Sequence, residues 1–90
     1  MTLEQILKQH TVEIFKEVFE ITIAEETVTI NLTKKEHEGD YTIVVFPLIK
    51  FSKKNPEQTA EILGNQLKAK TNIVEKFNVI KGFLNLSLSN

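Results

Sequence analysis

A chain of 90 residues with 41% hydrophobic content and a net charge of −1 has the apolar content for one domain, burying roughly 60 to 70% of the surface its unfolded form exposes. The absence of cysteine, together with two histidines far apart in sequence, argues against a disulfide framework and against a metal site of any kind. The first residues, Met1-Thr2-Leu3-Glu4-Gln5, lack the cationic and apolar regions of an export signal, and no apolar run approaches the roughly 18 residues of a membrane span, so a cytoplasmic location and no membrane partner are expected.

Thr2 followed three residues later by Gln5 is a capping-box pattern, and Glu4 adds the negative charge that a helix N-terminus favours. A helix is predicted from there to about Glu20, with Leu3, Leu7, Ile14 and Val18 on one stripe and Ile6, Val12, Phe15 and Phe19 widening it. His10 lies beside that stripe and reads as a filler of the core edge. Thr27 to Thr33 then alternates, placing Val28, Ile30 and Leu32 on one buried strand face. The polar stretch Lys34 to Asp40 reads as a loop in which Gly39 takes positive φ and Asp40 is a turn or helix-cap residue. His37, among contiguous charges, reads as a solvated side chain.

Tyr41 to Phe51 fits two patterns. The β-branched Ile43, Val44 and Val45 favour a strand, whereas apolar residues at 44, 48 and 51 fit a helix that tolerates Pro47 in its first turn. The helical reading, from about Val44 to Lys53, is adopted. Asn55-Pro56-Glu57 is the clearest helix start, with Asn at the N-cap, Pro at the first position and Glu in the first turn. That helix is predicted to reach about Lys70 with Ala60, Leu63 and Leu67 inward. Gly64 in its middle costs about 1 kcal/mol relative to Ala and marks a close approach to another element. Phe77 to Ile80, the Lys81-Gly82 turn and Phe83 onward read as a β-hairpin. The expected class is α+β, an antiparallel sheet of about four strands with helices packed on one face.

In the final strand Leu84, Leu86 and Leu88 point one way and Phe83, Asn85 and Ser87 the other. The leucines need a core beneath them, so Phe83 and Asn85 are expected to face outward. Charge is uneven along the chain. Residues 1–30 hold two lysines against six glutamates, and residues 50–90 hold seven lysines against three glutamates. The half that carries Phe83 and Asn85 is therefore basic, a hint of a polyanionic partner. Every cation is lysine, a point charge for phosphate without arginine's planar fork, so any base reading falls to other side chains. The sequence has no Gly-rich phosphate loop, no nucleophile–base arrangement and no paired carboxylates on one predicted face, so the chain by itself reads as non-catalytic.

Gly39-Asp40-Tyr41, then Asn55-Pro56-Glu57-Gln58-Thr59-Ala60-Glu61-Ile62-Leu63, then Gly82-Phe83-Leu84-Asn85-Leu86-Ser87-Leu88, in this order and over nearly the whole chain, resemble the appended N-terminal domain of arginyl-tRNA synthetase. The chain departs from that pattern after Tyr41, where Ile43-Val44-Val45 and Pro47 replace small polar residues. The resemblance implies a single accessory domain over residues 1–90, preceding a class I catalytic domain that this sequence does not contain. It implies tRNA(Arg) as partner, gripped at the D-loop, the downstream catalytic domain as a second partner, and no DNA. ATP and Mg would then belong to the full ligase, with no cofactor here. An aromatic and an amide two residues apart on the last strand meet a D-loop base in that family, which carries over to Phe83 and Asn85, with Lys81 beside them for phosphate. Stacking of an unpaired base on an aromatic ring contributes about 1 to 3 kcal/mol, and an amide can bond the base edge. The alternative is a protein-interaction module that docks another polypeptide through the Phe83 face.

Overall fold

Both halves of the Thr2–Gln5 capping box form in the computed structural model, which describes residues 2–89. The Gln5 N–H donates to Thr2 Oγ1 at 3.2 Å and the Thr2 N–H to Gln5 Oε1 at 3.0 Å. They open helix α1, Leu3–Val18. It ends two residues short of the expected Glu20, because Glu20 is left-handed (φ 56°) and turns the chain so that the Ile21 N–H reaches back to the Phe15 carbonyl. Leu7, Ile14 and Phe15 are fully buried, whereas Leu3 and Val18, assigned inward by periodicity, lie at the helix ends and are exposed. Their place in the buried set goes to Thr11, whose hydroxyl donates to the Leu7 carbonyl. His10 is half-buried, and its Nδ1 has no partner among the described residues.

After a 3-10 turn at Glu25–Thr27 comes strand β1, Thr29–Leu32. Val28 and Ile30 are buried as expected, but Leu32 is 73% exposed because it ends an edge strand beyond the reach of the helices. The larger correction follows the loop. Tyr41–Val44 is strand β2, and helical structure begins only with a 3-10 turn at Phe46–Leu48 that runs into helix α2, Ile49–Ser52. The helix expected from Val44 is thus strand at its start and helical from Phe46. Pro47 sits in the first turn of that helical segment, where its missing N–H costs nothing. Ile43, Val45 and Leu48 are the inward residues, so the 44/48/51 spacing mixed positions from two kinds of structure.

Helix α3, Pro56–Lys70, has both predicted boundaries, with the Gln58 N–H donating to Asn55 Oδ1 at 2.8 Å. Strands β3, Val74–Ile80, and β4, Phe83–Leu88, complete an open antiparallel sheet in the order β1-β2-β4-β3. The register produces two kinds of row. Ile30, Ile43, Leu84 and Val79 lie side by side under the helices, while Asn31, Thr42, Asn85 and Asn78 lie side by side on the other face. Gly64 makes the close approach expected of it, since a Cβ there would stand 2.6 Å from the Phe77 ring. Lys70 Nζ bonds Glu17 Oε2 at 2.6 Å and ties α3 to α1. No helix among the described residues is long and apolar enough to cross a membrane.

Candidate nucleic-acid interface

The sheet face away from the helices carries the candidate residues, and the hairpin turn sets their geometry. Lys81 is the left-handed residue of the turn (φ 55°), whereas Gly82 is needed for space, because a Cβ there would lie 2.0 Å from the Phe46 ring. The Val45 N–H donates to the Gly82 carbonyl at 2.9 Å and seats the Phe46 segment over the turn. Phe46 then meets Phe83 edge-on, with ring centroids 6.5 Å apart and planes at 86°. This T-shaped contact fixes the Phe83 ring from one side. Phe83 remains 41% exposed.

Asn85 differs from expectation. It points away from the leucine core as the alternation requires, yet it is only 3% exposed. Two features cover it. The first is a hydroxyl chain in which Thr33 Oγ1 lies 2.9 Å from Thr42 Oγ1, and Thr42 Oγ1 donates to Asn85 Oδ1 at 2.6 Å. The second is the loop between β1 and β2, which folds across this face. Gly39, at φ 131°, passes so close that a Cβ would come within 3.3 Å of the Asn85 Cβ and 3.2 Å of the Leu86 carbonyl oxygen. Asp40 does not cap a helix. Its N–H donates to the Leu86 carbonyl at 2.7 Å and its carboxylate accepts the Leu88 N–H at 2.8 Å, so Gly39-Asp40-Tyr41 fastens the loop to β4. Beyond β4, Glu38 Oε1 pairs with Lys76 Nζ of β3 at 2.9 Å. The hydrogen bond and charge of Glu38 raise the Lys76 ammonium above its ordinary 10.5. Titration of Lys76 therefore leaves the pairing intact through neutral pH and breaks it as pH rises through the raised alkaline value.

Between loop and aromatics lies a concavity of about 120 Å³ whose walls include Phe83, Asn85, Thr42, Val44, Lys34 and His37. This is below the roughly 300 to 1,000 Å³ of small-molecule pockets and suits one flat ring lying partly in solvent. Asn85 Oδ1 already accepts from Thr42, and its carboxamide NH₂ can donate to an acceptor on a base edge. Phe83 and Asn85 are thus brought together as the sequence suggested. Lys81 is not a wall of that concavity. It lines a separate, more open depression of about 380 Å³ with Phe46, Asn55 and Pro56. Sequence reasoning missed Lys34 and His37, whose loop carries no local signal for the face it crosses. The described residues hold no group of three or more His, Cys, Asp or Glu side chains placed to bind a metal ion.

A profile of the family described as "Arginyl tRNA synthetase N terminal domain" matches residues 1–88. The chain belongs to that family. The arginine–tRNA ligase of Bacteroides thetaiotaomicron is 45% identical to this domain over 89 residues, covering 99% of the domain and 15% of the relative. The enzyme of the same name from Amoebophilus asiaticus is 36% identical over 88 residues, covering 98% of the domain and 15% of the relative. Among solved structures, the arginyl-tRNA synthetase of Thermus thermophilus superposes with a TM-score of 0.77 at 25% identity, over 98% of this domain and 14% of that chain. The domain therefore spans about 15% of the length of the curated relatives it matches.

Proposed function

We propose that this domain is the non-catalytic tRNA-binding part of an arginine–tRNA ligase, holding the D-loop at the outer corner of tRNA(Arg) while other parts of the enzyme bind ATP and Mg and carry out aminoacylation. The observation that carries the proposal is one concavity that presents the exposed, edge-supported Phe83 ring and the oriented Asn85 amide together on the open sheet face. Phe83 stacks on an unpaired base, and the Asn85 NH₂ donates to an acceptor on that base. Lys81, in the adjacent depression, meets backbone phosphate as a point charge. Family membership and relatives named arginine–tRNA ligase support this reading. The alternative, a module docking another polypeptide through Phe83, finds no support in the comparisons.

Nuclease and chemical footprinting of a tRNA(Arg) transcript tests the proposal. The domain should protect D-loop nucleotides and leave the anticodon loop open, and both Phe83→Ala and Asn85→Ala should abolish the protection. Protection that is absent, lies elsewhere, or survives both substitutions in folded protein overturns it.

A further inference from the structure

Lys34 and His37 stand on a polar loop, yet its path across the sheet makes both of them walls of the concavity that contains Phe83 and Asn85. From this we infer that the loop is the phosphate-holding half of a nucleotide site: Lys34 and His37 bind the phosphate of the nucleotide whose base rests on Phe83. The inference rests on the tRNA-binding reading above and extends it to two residues and one chemical group.

Three observations support it. The loop has a fixed position. Gly39 is pressed against Asn85, Asp40 is bonded at both its N–H and its carboxylate to β4, and Glu38 is tied to Lys76. A turn closed by the His37 N–H and the Lys34 carbonyl, at 3.0 Å, sets the two residues at its ends. The lining of the concavity also favours an anion. Lys34 is the one formally charged side chain among the described residues that line it, and the loop carboxylates Glu36, Glu38 and Asp40 are not among its walls. Finally, the site is two-sided, with an aromatic ring and an amide along the sheet, and an ammonium and an imidazole on the loop. A nucleotide presents the matching pair, a flat base with polar edges joined through a sugar to an anion. A hydrophobic peptide would leave Lys34 and His37 without a function in the site.

Lys35 provides the control, because it carries the same charge on the same loop but lies outside the concavity. Binding of a fluorescently labelled tRNA(Arg) transcript to the 90-residue chain is measured by anisotropy across a salt series for wild type, Lys34→Gln, Lys35→Gln, His37→Ala and Phe83→Ala. Lys34→Gln should weaken binding about fivefold and lower the slope of log affinity against log salt by about 1, as expected for the loss of one phosphate contact. His37→Ala should also weaken binding, and Lys35→Gln should change affinity less than about twofold at an unchanged slope. Equal effects of Lys34→Gln and Lys35→Gln would mean a diffuse field and overturn the inference. So would a loss confined to Phe83→Ala, although the base-stacking reading would then stand. No binding by wild type, or binding indifferent to all four substitutions, overturns both.

Discussion

Leu84 and Asn85 are neighbours in the chain and almost equally hidden, at 0% and 3% exposure, but they are hidden by different means on opposite faces of β4. Leu84 lies in an apolar row with Ile43, Ile30 and Val79 beneath the helices, where burial itself is the stabilising term. Asn85 lies in a polar row, covered by a loop and held by hydroxyls, and its burial is tolerated only because those bonds form. Burial alone therefore does not separate core from site in this domain. The helix-covered face is packed for stability, whereas the other combines a bonded amide with an aromatic ring left 41% exposed.

Substitutions that separate the two faces test this contrast. The largest loss of stability is expected from Leu84→Ala, about 2 to 5 kcal/mol by urea denaturation, because it empties volume in a packed core. A cost below about 1 kcal/mol would mean that the apolar row is not the main support of the sheet. Thr42→Val comes next at about 1 to 2 kcal/mol, since it strands Asn85 Oδ1 and the Thr33 hydroxyl in a covered position. Thr42→Ser, which keeps the oxygen, should recover most of that loss and also the D-loop protection. Recovery by Ser but not by Val distinguishes the hydrogen bond from packing. Gly64→Ala is a contest between two effects: Ala favours the helix by about 1 kcal/mol, but its Cβ would meet the Phe77 ring at 2.6 Å and overpacking costs about 1 to 3 kcal/mol. A net loss of about 1 kcal/mol is expected, and a stabilised variant would show that β3 can withdraw from α3 at little cost. The smallest stability effect, under about 1 kcal/mol, belongs to Phe83→Ala, because the ring is already partly in water. Its large effect should appear in footprinting. Substitution of adjacent residues should thus give opposite profiles, with Leu84→Ala reducing stability and Phe83→Ala removing binding.

The start of α1, both ends of α3, the hairpin, the inward leucines of β4 and the close approach at Gly64 were legible because each is coded locally by a cap, a turn or a period of two, whereas the end of α1 was set by the left-handed Glu20. The Phe83–Asn85 pair was legible for the same reason, as an alternation that sends both away from the core. Strand β2 was not, because Tyr41 to Phe51 carries strand-like and helix-like spacings at once. Its place between β1 and β4 depends on partners that are distant in sequence. Leu32 was misassigned because alternation says which way a side chain points and not whether anything covers it.

By itself, then, the sequence determined the α+β class, the stretches with strong local signals and the direction of the Phe83 and Asn85 side chains, since caps, turns and periodicity act over a few residues. Only the tertiary structure decided that Asn85 is covered and bonded to Thr42 rather than free in water, and that Lys34 and His37 share its concavity. Those results depend on a loop crossing β4 and on a register joining residues 43 positions apart, which no local pattern encodes.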